Sequence, residues 1–218
     1  MGDEEFIMQE RGRRDCYRLL AACFYQPSKE LFLQEDLFTT LAGLLNRICP
    51  QAAVHAAAMG EAFARYDHGE LLVEYARLFI GPYGLQAPPY GSVYLDEGKG
   101  VMTDSTVEAV RMYRTEGLSM DEDFKELPDH LTVQLEFMYY LAFNEVRALE
   151  NAETGTARQF SEKQQRFLKR FLGAWVPRFC GRIKDGTENT FYRSLAECLA
   201  VFIEHELRVS TAPEALKS

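Results

Sequence analysis

An all-α fold, built as a single globular bundle of several helices, is the architecture this chain predicts. Three observations carry the prediction. Apolar residues return every three or four positions through most of the length, the period of a helix face. Strand-like alternation is nearly absent, with Ser92-Val-Tyr-Leu95 the exception. Helix breakers gather in one stretch, residues 81–102, which holds five glycines and three prolines, a density no helix survives.

A first helix spans about residues 5–25, with apolar residues at 16, 19, 20, 23 and 24 on one face, and stops at Gln26-Pro27. Ser28 is placed to cap a second, through Leu31-Phe32-Leu33 to Ile48, which Pro50 ends. The alanine-rich residues 51–66 form a third. Residues 70–80 follow, with Leu71, Leu72, Tyr75, Leu78 and Phe79 on one face. Beyond the 81–102 loop, Asp104 or Ser105 caps a helix to about Glu116, and residues 117–127 form an acidic connection. The helix from about 129 to 150 carries Leu131, Leu135, Met138, Ala142 and Val146 on one side and Val133, Phe137, Tyr140 and Leu141 on others. Being apolar nearly all round, it belongs at the centre. Residues 156–184 read as helix with a break before Pro177, and Asn189 caps the last, to about Val209. The tail from Ser210 is expected to fray. One domain covers 1–218, divisible into subdomains 1–120 and 128–210 about a 117–128 hinge.

The 218 residues, 47% of them hydrophobic, suffice for a sizeable core. A formal charge of −9 argues against nucleic acid, which needs a cationic surface to displace counterions, and is compatible with a basic partner. The five cysteines, Cys16, Cys23, Cys49, Cys180 and Cys198, are odd in number and form no Cys-x-x-Cys pair. A reducing cytoplasm fits them better than a disulfide framework or a zinc knuckle. No apolar run approaches the roughly 18–20 residues needed to cross a bilayer, so no stable membrane insertion is expected. Arg13-Arg14 ahead of an apolar stretch looks faintly like a twin-arginine leader, but Asp15 and Arg18 interrupt it and no A-x-A cleavage site follows.

Most chemical motifs are absent. Gly98-Lys99-Gly100 lacks the spacing and the following Ser/Thr of a phosphate loop. None of His55, His68, His130 and His205 has glutamate three residues earlier, as a di-iron bundle requires, and His-Glu-x-x-His is missing. Asp121-Glu122-Asp123 lacks the glycine and distal glutamate of an EF-hand. No metal and no cofactor are expected. Asp129–His130 stays open between two readings. A carboxylate at 129 caps the following helix and favours its dipole; alternatively the pair serves as acid and base, although adjacent helical residues diverge by about 100°. Tyr75, Phe79, Tyr83, Tyr90 and Tyr94 read either as core and loop anchors or as an aromatic surface near acidic residues, suited to a ligand part apolar and part cationic.

Several pieces, in order and spacing, resemble the redox-enzyme maturation chaperones of the TorD/DmsD/NarJ family. They are Glu74-Tyr-Ala-Arg-Leu-Phe79 with Gly81-Pro82, Ala87-Pro-Pro-Tyr-Gly-Ser-Val-Tyr94, Met102-Thr103, the run from Val107 to Tyr113, Glu126-Leu-Pro-Asp-His130, Leu135-Glu136-Phe137, Gln165-x-Phe167 and Trp175. The resemblance implies a TorD-like helical fold and no enzymatic activity. It implies a cytoplasmic protein that binds the twin-arginine signal peptide or N-terminus of a molybdenum-cofactor oxidoreductase and holds it for cofactor insertion before export. By position, the peptide-binding residues it implies are Tyr75, Leu78, Phe79, Tyr83, Tyr94, Glu126, Pro128, Asp129 and His130. Here proline directly precedes Asp129, nearer the NarJ spelling, and tyrosine stands at 75 and 94 where relatives often carry tryptophan. The residues agree in kind: an apolar groove ending in carboxylates complements a peptide with adjacent arginines and an apolar, helix-capable stretch. The partner is then the oxidoreductase catalytic subunit, and the protein a monomer or a domain-swapped dimer. A small-molecule enzyme using Asp129 and His130, or a permanent scaffold subunit, is the alternative.

Overall fold

Short polar residues stand at the start of several helices of this chain, among them Asp67, Thr103 and Asn189. The computed structural model describes residues 3–28, 32, 36–81, 85–96, 101–121 and 125–211. Helix α1 is Asp3–Cys23, α2 Leu37–Ile48 and α3 Pro50–Arg65, the last opened by proline in its first turn, where a missing N–H costs nothing. Helix α4, His68–Tyr75, starts at a capping box: Asp67 accepts from Glu70 N while the Glu70 side chain accepts from Asp67 N. Its last turn widens into a π-helical turn, Ala76–Ile80. Then come the short α5, Ser92–Leu95, and α6, Asp104–Thr115. Helices α7, Leu131–Glu150, α8, Thr154–Arg170, α9, Leu172–Gly186, and α10, Thr190–Thr211, complete the bundle. Asn189 caps α10 as expected, its Oδ1 accepting from Phe191 N at 3.0 Å.

The elements are all helical, and the single β pairing among the described residues is an isolated antiparallel bridge, Tyr90 with His130. Helix α7 lies at the centre, against α1 on one side and α8 on the other, while α10 packs on α3 and α9. Helices from both sides of the 117–128 segment therefore interlock in one core. The largest fully buried side chains include Trp175, Tyr17, Tyr192, Phe63 and Phe179; each such burial contributes roughly 1.5–3 kcal/mol. Phe179 touches four rings, those of Phe24, Phe79, Tyr94 and Trp175, tying the residue that follows α1, the π turn, α5 and α9 together.

Six local expectations are corrected. Ser92–Leu95 is a helical turn, because the Asp129 carboxylate accepts the Ser92 N–H and closes the chain into a turn there. Helix α7 begins at Leu131 with His130, not Asp129, as its cap. Thr103 and not Asp104 or Ser105 precedes α6, and the acceptor for the Ser105 N–H is Asp96, at 3.1 Å. The 156–184 stretch breaks at Phe171, whose φ −116°, ψ −90° leave the helical region. Pro177 stays inside α9. The corner is set by packing: Phe171 is wholly buried, and a Cβ on Gly173 would meet both Leu207 methyls at 2.8 Å. Helix α4 begins two residues earlier than its apolar pattern, at the Asp67 cap. The second helix does not run unbroken from Ser28: the part that reaches Ile48 starts at Leu37, after Asp36 in the left-handed region at φ 46°. The Ser28 carbonyl accepts from Phe32 N, while residues 29–31 and 33–35 lie outside the described residues, as do Tyr83, Gly98-Lys99-Gly100, Glu122-Asp123 and the tail from 212.

Candidate functional site

The hinge and the aromatic loop meet in a clasp. At the Tyr90–His130 bridge, Gly91 N donates to Asp129 O at 3.0 Å and Leu131 N to Pro89 O at 2.8 Å. Asp129, 1% exposed, accepts the Ser92 N–H through Oδ2 at 2.8 Å, while its buried Oδ1 has no hydrogen-bond donor among the described residues. Gly91 fits because it has no side chain: a Cβ there would stand 3.2 Å from Gln134 Nε2 and from Trp175 Nε1. Beneath it Trp175 Nε1 donates to Gln134 Oε1 at 2.9 Å, and Tyr94 stacks on the Trp175 ring.

His130, 4% exposed, uses Nδ1 as the α7 cap, accepting from Thr132 N at 3.2 Å. The ring must be neutral there, and burial lowers its pKa below the ordinary 6.5, against the opposing pull of Glu126 and Asp129. Its Nε2 is 3.9 Å from Glu126, and its ring meets Tyr90 edge-on. Tyr90 donates its hydroxyl to Glu126 at 2.9 Å. Burial and that carboxylate raise the tyrosine pKa well above its usual value. From α6, the Tyr113 hydroxyl donates to Pro128 O at 3.0 Å.

The residues expected to bind a peptide therefore fall into two layers. Tyr75, Leu78, Phe79, Tyr94, Asp129 and His130 are buried, none more than 9% exposed. Tyr75 donates to Phe24 O at 3.3 Å and packs on Phe79; both belong to the core, as does Leu78. The expected aromatic groove at these residues is filled by the molecule's own rings. Glu126 and Pro128 form the outer layer, half-exposed, together with Tyr90. Tyr83 lies outside the described residues. Sequence reasoning did not place Tyr25 here, whose hydroxyl donates to the exposed Glu136 at 2.6 Å; its nearest sequence signal is its position just past the end of α1. Beside Glu136 an apolar cleft of about 550 Å³ opens between α7 and residues 118–121.

A second polar cluster lies under α1. Arg13 reaches Glu10 at 2.5 Å, Glu145 at 2.8 Å and Glu206 at 3.1 Å. Tyr17 donates to Glu206 at 2.7 Å and Gln164 to Glu145 at 2.6 Å. Arg14 pairs with Asp15. The adjacent arginines are thus on two faces of a core helix, one of them partly buried among carboxylates. All five cysteines are buried and free, and burial raises the thiol pKa values. Among the described residues there is no group of three or more His, Cys, Asp or Glu able to hold a metal, and no helix long and apolar enough to cross a membrane.

Comparison with known proteins returns one consistent picture. Residues 32–181 match the family model described as the nitrate reductase delta subunit. The Tat proofreading chaperone DmsD of Salmonella typhi is 30% identical over 83% of this chain and 81% of its own. The chaperone protein TorD of Vibrio cholerae serotype O1 is 28% identical over 94% of each chain. A crystal structure from Archaeoglobus fulgidus, assigned as a redox enzyme maturation protein, superposes with a TM-score of 0.52 at 22% identity, over 88% of this chain and 93% of that one, and shows the shared fold.

Proposed function

The chain belongs to the nitrate reductase delta subunit family, with TorD and DmsD chaperones among its relatives, and on that footing we propose that it binds the twin-arginine signal peptide or N-terminus of a molybdenum-cofactor oxidoreductase. It is a maturation chaperone and not an enzyme. In this reading it works in the cytoplasm, holding the catalytic subunit until cofactor insertion precedes export.

What supports the reading is the outer face of the clasp, where Glu126, Tyr90, Pro128, Tyr25 and Glu136 bring carboxylates and tyrosine rings to one surface. Exposed carboxylates select a cationic segment, and rings beside them supply contact area at small entropic cost. Asp129 and His130 act from below, fixing the two chain segments that carry Glu126 and Tyr90. Tyr75, Leu78, Phe79 and Tyr94 support the same loop through the core. The acid–base alternative is not favoured, since His130 Nδ1 is already the acceptor that caps α7.

Asp129→Ala and His130→Ala are expected to weaken binding of the client leader while circular dichroism shows unchanged helical content. Unchanged calorimetric affinity in both variants would remove the clasp from the binding site. A pull-down from anaerobically grown cells, with the bound oxidoreductase identified, supplies the client. In this reading the protein is a monomer, or a dimer in which helices exchange between protomers by opening at 117–128, and size-exclusion chromatography over a concentration series separates the two.

A further inference from the structure

The cleft beside α7 is made by one local device. Helix α6 ends in a Schellman motif: Leu118 N donates to Tyr113 O and Gly117 N to Arg114 O, both at 3.0 Å, with Gly117 at φ +75°. The left-handed glycine turns the chain back, so that residues 118–121 run opposite α7 instead of away from it. Val133, Phe137 and Tyr140 of α7 form one wall, Tyr113 the floor, and Leu118, Ser119, Met120 and Asp121 the other wall. Tyr113 and Phe137 meet edge-on at 4.7 Å, which makes the floor rigid.

Its chemistry is asymmetric. The interior is aromatic and aliphatic, while Asp121 and Glu136, both exposed, are the acidic residues in its lining among the described residues. Its volume of about 550 Å³ falls in the range of roughly 300–1,000 Å³ that ligand sites occupy. Glu136 accepts from Tyr25, and the Tyr25 hydroxyl lies within electrostatic reach of Glu126, so the cleft adjoins the outer face of the clasp.

We propose that this cleft seats the apolar stretch of the leader, as a helix laid along α7, with Asp121 and Glu136 meeting the basic residues that precede that stretch. The proposal rests on the leader-binding reading above and adds a site to it. The occupant follows from complementarity. Val133 and Phe137 are spaced four apart and Tyr140 three further on, the spacing that receives the apolar face of a single helix. The rim charge, on a chain of net −9, favours a cationic flank over an acidic or neutral one.

The test uses the full chain and synthetic leader peptides of the oxidoreductases encoded in the same genome, each paired with a version whose apolar stretch is replaced by serine. Met120→Glu places a charge in the cleft wall at a half-buried position, and Glu136→Lys reverses the rim. Met120→Glu is expected to weaken the native leader by about tenfold or more and to leave the serine version unchanged. Glu136→Lys is expected to weaken both, by less at high salt. Both variants should keep the wild-type thermal midpoint. Native-leader binding that neither substitution moves overturns the cleft and leaves the chaperone reading standing. Failure of the wild-type protein to bind any leader overturns the reading, and the cleft with it.

Discussion

Arg13, partly buried, and Asp129, wholly buried, are satisfied to different degrees. Arg13 sits among three carboxylates, and those in turn accept from Tyr17 and Gln164, so most of the charge in the cluster has a partner. Asp129 has one oxygen bonded to Ser92 N and the other without a donor among the described residues. The first cluster joins α1, α7, α8 and α10 deep in the bundle. The second joins two loop segments at the edge of an open, acidic surface. Buried polar groups are normally paired, and where a protein leaves one unpaired, the position is where function is expected to compete with stability. The Arg13 cluster leaves a neutral amide oxygen, Gln164 Oε1, without a donor among the described residues, whereas the clasp leaves a carboxylate oxygen; that difference in charge marks the cluster as structural and the clasp as the working end.

Arg13→Ala should separate the two most sharply. It leaves Glu10, Glu145 and Glu206 without their counter-charge, a loss of about 3–5 kcal/mol for a buried pair, read as a lower urea midpoint. Leader affinity of the folded fraction should be unchanged; a parallel loss of affinity would break the distinction. Gly91→Ala comes next. Its Cβ would press on Gln134 and Trp175, at a cost of about 1–3 kcal/mol for overpacking, and here leader affinity should fall along with the thermal midpoint.

The smallest effect is one of sign with pH. His130 has its pKa lowered from 6.5, so as pH falls below 6.5 the unfolded chain takes the proton first and the clasp loses stability. Glu145 has its pKa raised from 4.5 by burial, against the pull of Arg13, so as pH rises above 4.5 the unfolded chain ionises first and the cluster loses stability. Between those two values the contributions run in opposite directions. Denaturation midpoints across that window should lose their acid-side fall in His130→Gln and their alkaline-side fall in Glu145→Gln. Identical profiles in both variants would show that neither group controls the slope.

Much of this was legible in the sequence wherever a local cause acts. The Asn189 cap, the proline at the head of α3 and the all-round apolar character of α7 each depend on neighbours a few positions away. The departures all have distant causes. Asp129 is drawn from capping α7 by Ser92, 37 residues earlier, and Ser92–Leu95 coils because of the same bond. Arg13 finds partners 132 and 193 positions along the chain, which no spacing rule reveals. At the site, the Asp129–His130 pair was visible as unusual, but its burial was not. Tyr75 and Phe79 had the spacing of a helix face and turned out to face the core. The cleft was missed although Gly117 announced it, because an acidic connection gives no sign of which way it folds back.

The π turn at Ala76–Ile80 has a consequence at the clasp. Its wide hydrogen bond, Gly81 N to Ala76 O, accommodates one residue more than an α-helical turn would, and the Leu78 carbonyl within it holds Ala87 N at 3.0 Å, at the root of the strand of chain that carries Tyr90 and Gly91. Deleting a single residue there would alter no side chain of the clasp, yet would withdraw the anchor from which the loop is hung. At that point what descendants of this gene must preserve is a count and not a composition: substitutions can drift, whereas an indel of one should extinguish the grip.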